Sequence, residues 1–199
     1  LSTCESSDFY NKTEQLKPFT PLHKGRGEPP QVARGWGFHI FFPMTNLINP
    51  PSNRHDTVLP LPLEVTANAW AVDAACSGNP GPMEYQAIDL ATGAQVFHYG
   101  PVHGTNNIGE FLAIVHALAL LDKQGITGKT IYSDSRNAIL WVKKRQCKTK
   151  LERTPQTAPL YAVIARAEAW LRAHPVLQNP VVKWETRQWG EVPADFGRK

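Results

Sequence analysis

The sequence is short of several residue types at once. It has three cysteines in 199 residues, Cys4, Cys76 and Cys147, and no two of them share a CxxC spacing. An odd, scattered set of thiols supports neither a disulfide framework nor a zinc site, and a reducing, cytoplasmic setting is expected. No uninterrupted apolar run reaches the ~18 residues that a membrane-spanning helix needs, so no membrane partner is expected. The first residues lack a basic segment, an apolar segment and a small-residue cleavage site in that order, so secretion is not indicated. The seven histidines show no HxxxH or similar spacing, which disfavours a histidine-built metal centre. No internal repeat is visible. What is plentiful is apolar residues, 42% against 19% charged, enough for a packed core and against full-length disorder.

The charge is uneven. The net charge is +4, but residues 1–68 hold six basic and six acidic groups and are neutral. Residues 69–199 hold 15 basic and 11 acidic groups and carry the whole excess. Within them Lys143, Lys144, Arg145, Lys148, Lys150 and Arg153 face the single acid Glu152 over eleven positions. A polyanionic partner is the natural expectation.

Nine of the 17 prolines lie in residues 1–68, where neither a helical nor a strand period is sustained. This region reads as an irregular extension, and its apolar segment 36–43 as at most an edge strand or docking patch. The chain begins with Leu1 and its first methionine is Met44, so one hypothesis makes residues 1–43 leader or over-translated sequence. From residue 69 the pattern becomes regular. Strands are expected at 70–76, 85–90 and 95–102, with turns at Asn79-Pro80-Gly81-Pro82 and Ala91-Thr92-Gly93. Phe111, Ile114, Val115, Leu118 and Leu121 form one apolar stripe on a helix over 107–124, which Gly125 stops. A strand 130–133, a helix 135–146 with Ala138, Ile139 and Val142 inward, and a helix ending near Ala173 follow. A strand 181–186 and a terminal helical turn 192–197 complete the order βββαβααβα, an α/β layer architecture.

The few acids of this domain are oddly placed. Asp73 interrupts an apolar strand, Glu110 opens a helix, Asp134 closes the strand IYSD, and Asp195 lies in the last segment. Singly, Asp134 could be a helix cap, Glu110 a favourable charge at a helix start and Asp195 an exposed acid. Asp73 is harder to explain, because a buried, unpaired carboxylate is costly. Together they suit hard divalent cations, which take oxygen ligands. Two such ions about 4 Å apart can activate a water and stabilise a leaving oxygen in a phosphoryl displacement.

Four segments now stand in order: Asp73-Ala-Ala-Cys-Ser-Gly-Asn-Pro-Gly81, Gly104-Thr-Asn-Asn-Ile-Gly-Glu110-Phe, Tyr132-Ser-Asp134-Ser and Trp189-Gly-Glu-Val-Pro-Ala-Asp195. Over about residues 66–199 this set resembles type 1 ribonuclease H, in particular the compact bacterial form without a basic protrusion between helices. Residues 1–68 do not resemble the small hybrid-binding module that often precedes this domain. The resemblance implies a ribonuclease H-like fold with a five-stranded mixed sheet, three antiparallel strands then two parallel, flanked by helices. It implies an endonuclease that hydrolyses the RNA strand of RNA–DNA hybrids with little sequence preference, leaving 5′-phosphate and 3′-hydroxyl ends. Asp73, Glu110, Asp134 and Asp195 would ligate two Mg²⁺ or Mn²⁺ ions, and Glu191 would serve near them in product release.

The resemblance also implies how a hybrid would be read. Cys76, Gly78, Asn79, Asn106 and Arg136 would face the RNA strand in the minor groove, where the 2′-OH distinguishes RNA. Thr105, Asn107, Thr149 and Lys150 would hold a DNA phosphate, with an exposed Trp141 packing on a deoxyribose. Lys150 stands where the compact form usually has a hydroxyl residue, and Ala74 and Ala75 where glycine and serine are common. No obligatory protein partner is indicated and a monomer is expected. Two rivals stay open: a DNA-acting nuclease of the same fold, and a hybrid-binding protein without activity.

Overall fold

The structure, a computed structural model, describes residues 60–197. The expectations for residues 1–59 and for Arg198 and Lys199 lie outside the described residues. The elements run β1 Ala69–Cys76, β2 Gly81–Asp89, β3 Gln95–Gly104, α1 Asn106–Lys123, β4 Thr130–Ser133, α2 Arg136–Lys144, α3 Ala158–Ala173, β5 Val181–Lys183 and α4 Thr186–Trp189. The strands form one sheet in the order β3-β2-β1-β4-β5. β1–β2 and β2–β3 pair antiparallel, whereas β1–β4 and β4–β5 pair parallel. The mixed five-stranded sheet expected from the family resemblance is therefore present.

Burial explains the patterns. β1 is central and covered on both faces, so it reads as a nearly continuous apolar run. Trp70, Val72 and Ala74 join the core beneath the helices, while Ala69 and Ala71 join a second core on the opposite face. In β2 the alternation is clean, with Met83, Tyr85 and Ala87 buried under the helices. Helix α1 is apolar on nearly every side because the sheet, α2 and α3 surround it. The expected inward residues of α2, Ala138, Ile139 and Val142, are all buried. Leu61 and Val65, ahead of β1, pack into the second core with Tyr132, Trp184, Val192 and Ala194.

Two expectations at the C-terminal end need correction. The last strand stops at Lys183 rather than continuing to 186. Trp184 turns into the second core and anchors there, its indole Nε1 donating to the Gly190 carbonyl at 2.9 Å, and the short α4 follows. Residues 192–197 form a single turn, the Asp195 N–H donating to the Val192 carbonyl at 2.8 Å, and no longer helix. Val192 and Ala194 plug into the second core, and six residues are too few to sustain a helix unaided.

α1 crosses β1 closely. A Cβ on Gly109 would stand 2.7 Å from the Ala74 Cβ and 3.0 Å from the Met83 Cγ. Alanine would ordinarily gain about 1 kcal/mol of helix propensity over glycine. Here Gly109→Ala is expected to destabilise by about 1–3 kcal/mol instead, because the helix must lift from the sheet. A lower urea midpoint with an unchanged m-value checks this.

Candidate active site

The carboxyl ends of the two central parallel strands are where α/β sheets bind ligands. β1 and β4 are registered Ala69↔Thr130, Trp70↔Ile131 and Ala71↔Tyr132. Continuing that register sets Asp134, just past β4, beside Asp73. Glu110 arrives from the second turn of α1, held against β1 by the contact at Gly109. Oxygens of Asp73, Glu110 and Asp134 lie within 4.8 Å of one another. Asp73 is 8% exposed and Glu110 9%, so water alone does not separate these charges.

Short polar groups surround the acids. Asn106 donates from Nδ2 to Glu110 Oε1 at 2.9 Å, and its own backbone N–H donates to Asn79 Oδ1 at 3.3 Å. The turn after β1 and the first turn of α1 are thereby tied together. Ser135 is the N-cap of α2, accepting from the Ala138 N–H at 3.2 Å, and its side chain also hydrogen-bonds Glu110. The cap is Ser135, not Asp134, which leaves the Asp134 carboxylate available to the cluster.

Asp195 comes by another route. Gln86, the cross-strand partner of Asp73, donates from Nε2 to the Ala194 carbonyl at 2.7 Å. That bond pins the C-terminal segment over the sheet next to the acids. Asp195 itself is half-buried, its Oδ2 accepting from the Gly197 N–H at 3.1 Å, and its charge acts on both Asp73 and Asp134. Glu191 is exposed, yet its charge also reaches Asp134.

These acids cannot all ionise comfortably. Burial pushes Asp73 up to about 8, against a hydrogen bond from the Ala74 backbone and with Asp134, Glu110 and Asp195 adding repulsion. Burial also raises Glu110 to about 7, the Ser135 hydrogen bond opposing and Asp134 reinforcing it. Asp134 is raised by burial, partly offset by the Lys183 ammonium and reinforced by Glu191 and Asp195. An all-oxygen donor set with surplus negative charge fits a hard divalent cation, which would restore the ionised forms.

The remaining expected residues occupy the surrounding rim. Gly78 has φ +86° in the turn after β1, and Cys76 is half-buried, its Sγ donating to the Gly104 carbonyl at 3.6 Å. Arg136 opens α2 and lines a groove with Asp134, Lys183, Glu185, Thr186 and Arg187. Thr105 is the N-cap of α1 without a side-chain cap bond, and Asn107 is half-buried behind it. Thr149 accepts from the Leu151 N–H at 3.1 Å, while Lys150 is exposed. Trp141 differs from expectation: it is half-buried, in a T-shaped contact with Phe111 whose ring centroids lie 6.2 Å apart. Ser135, Gln86 and Lys183 are contributors that the sequence did not single out. A lone lysine in VVKW and a serine directly after a strand-end acid were the available signals.

Fold and cluster together define an α/β protein with a carboxylate site suited to divalent cations. A family model described as RNase H matches residues 66–186. The ribonuclease H of Ehrlichia ruminantium is 33% identical over 130 residues, covering 63% of this chain and 80% of that protein. Ribonuclease HI of Rickettsia prowazekii is 31% identical over 123 residues, covering 57% and 72%. The crystal structure of RNase H1 from the archaeon Halobacterium salinarum aligns at 21% identity and a TM-score of 0.38, covering 60% and 86%. This chain belongs to the RNase H family.

A stability consequence follows from the buried acid. In the fold Asp73 holds its proton to about pH 8, whereas an unfolded aspartate releases it near 3.8. Between those values the native state binds the extra proton, so this group makes the metal-free protein less stable as pH rises. Asp73→Asn is therefore expected to raise the thermal midpoint in EDTA at pH 8 and to lose that advantage as the pH approaches 4. Millimolar Mg²⁺ should stabilise the native sequence more than the variant. Paired melting curves across pH, with and without Mg²⁺, check both.

Proposed function

We propose that this chain is an endonuclease that hydrolyses the RNA strand of RNA–DNA hybrids, leaving 5′-phosphate and 3′-hydroxyl ends with little sequence preference. The RNase H family acts on such hybrids. The observation that carries the reading to this chain is the convergence of Asp73, Glu110 and Asp134 at the strand ends. With Asp195 they would hold two divalent cations, Mg²⁺ or Mn²⁺. Such ions, when bound, supply water activation and charge stabilisation to an in-line phosphoryl displacement.

The chain's own residues provide the positioning. Asn106 and Ser135 hold the Glu110 carboxylate in one orientation, so it need not reorganise as charge develops. Lys183 places a positive charge beside Asp134, where the substrate phosphate would arrive. Glu191, exposed and close enough to influence Asp134, suits a role in product release. Cys76, Gly78, Asn79, Asn106 and Arg136 form the rim that would meet RNA 2′-hydroxyls. Thr105, Asn107, Thr149 and Lys150 would take a DNA phosphate, with Trp141 packing on a deoxyribose. Backbone attraction of this kind carries no sequence information.

The same reading treats residues 69–199 as the catalytic domain and residues 1–68 as an extension. It describes a monomer acting in the cytoplasm. Cys76 and Cys147 are free thiols, and among the described residues no helix is long and apolar enough to cross a membrane.

A labelled RNA–DNA hybrid should be cut in Mg²⁺ and spared in EDTA, while RNA–RNA and DNA–DNA duplexes of the same sequence survive. Cleavage of the DNA duplex would favour a DNA-acting nuclease, and hybrid binding without EDTA-sensitive cleavage a binding protein. Asp134→Asn is expected to lower cleavage by ~10²–10³-fold or more, the scale for losing one preorganised charge stabiliser. Its hybrid affinity should stay within a few-fold. Normal turnover by this variant would refute the site.

A further inference from the structure

The loop between α2 and α3 carries further cations besides Lys150 of the phosphate pocket. Among the described residues, Lys148, Lys150 and Arg153 form no ion pair with an acid. Arg145 is occupied differently, donating from Nη2 to the Pro175 carbonyl at 3.0 Å.

The loop is nevertheless tightly ordered. Thr149 Oγ1 accepts from the Leu151 N–H, and the Tyr161 hydroxyl donates to the Leu151 carbonyl. Thr157 Oγ1 donates to the Glu152 carbonyl at 2.8 Å and accepts from the Thr154 N–H at 2.8 Å. These ties present Arg153 with its guanidinium over the Tyr161 ring, 4.0 Å from the centroid. An open groove beside it is lined by Arg153, Thr154, Pro155, Ala158, Tyr161 and Ala162.

An arginine stacked on an aromatic face keeps its edge donors free, in a planar fork that matches a phosphate. Because the loop is already fixed, little side-chain freedom remains to be lost on binding. Arg153 is four residues from Thr149, so at most ~14 Å of chain separates them. Phosphates on one strand recur every ~3.4 Å of helix axis, so a span of that length is short enough for both residues to reach one strand within about four nucleotides.

We propose that Arg153, stacked on Tyr161, is a second phosphate anchor for the DNA strand of the hybrid. It lies beyond the Thr105–Asn107–Thr149–Lys150 pocket, and the adjoining groove accommodates the neighbouring sugar. The proposal rests on the hybrid-cleaving function proposed above and lengthens the stretch of DNA strand this chain grips.

Hybrid binding is measured in the Asp134→Asn background, which preserves the substrate, with Arg153 intact or changed to Gln. Single uncharged methylphosphonates are placed in turn along each strand. Arg153→Gln is expected to weaken binding about three- to tenfold at 0.1 M salt. It should also reduce the magnitude of the log K against log salt slope by ~0.7–0.9, the value of one lost phosphate contact. One DNA-strand methylphosphonate should weaken the Arg153 protein and leave the Gln variant unaffected. Arg153→Lys should recover most of the slope and only part of the affinity. Matching melting temperatures exclude a folding defect, which could not produce a strand-specific response in any case. An unchanged slope, or a paired response on the RNA strand, overturns the proposal. Cleavage of the same hybrid by the unmodified protein runs alongside. Its failure removes the function on which the proposal rests, whereas normal cleavage with an unchanged slope removes the proposal alone.

Discussion

Repulsion between carboxylates at the carboxyl end of the sheet is the constraint around which the structure is organised. Asp73, Glu110 and Asp134 sit within 4.8 Å on three different elements, and two of them are nearly sealed from water. Each receives different help. Glu110 has Asn106 and Ser135, Asp134 has the Lys183 charge, and Asp73 has little beyond one backbone hydrogen bond. The burden therefore concentrates on the acid of the central strand. Only a strand locked on both faces by packed apolar layers could keep it there.

The opposite end of the sheet shows what an acid looks like when the fold uses it for structure. Asp89 accepts from the Trp70 indole at 2.8 Å and from Lys129 at 2.9 Å, and it collects the backbone N–H groups of Ala91 and Thr92 across the hairpin turn. Burial opposes its ionisation, but the Lys129 and Trp70 hydrogen bonds prevail and hold its pKa below the usual value. β1 and β2 thus carry two acids of opposite electrostatic character. Satisfied donors mark the structural acid, and accumulated like charge marks the functional one.

Much of this was legible in the sequence, for identifiable reasons. Asp73 stood out because nothing in AWAVDAAC could neutralise it. The helices announced themselves through apolar stripes, and Ala138, Ile139 and Val142 proved to be the buried set of α2. The C-terminal segment was illegible because its conformation is dictated by distant groups. Trp184 is captured by the second core and Ala194 by Gln86, neither of which leaves a local period. Trp141 was misjudged in exposure because an inward arc on a short helix says nothing about a neighbouring helix. Phe111 of α1 closes against its ring. The roles of Ser135 and Lys183 are properties of the assembled site, and each residue alone reads as ordinary.

The two cores lie on opposite faces of one sheet and have no helix in common. Glu110 belongs to the helical side, whereas Asp195 belongs to the segment fastened over the other face by Val192, Ala194 and Gln86. A cation ligated by acids from both sides would be a removable cross-link between the two faces of the sheet. Its occupancy would couple their breathing. Loosening of the C-terminal segment would then cost the ion a ligand, and amide hydrogen exchange there would slow whenever the ion is present.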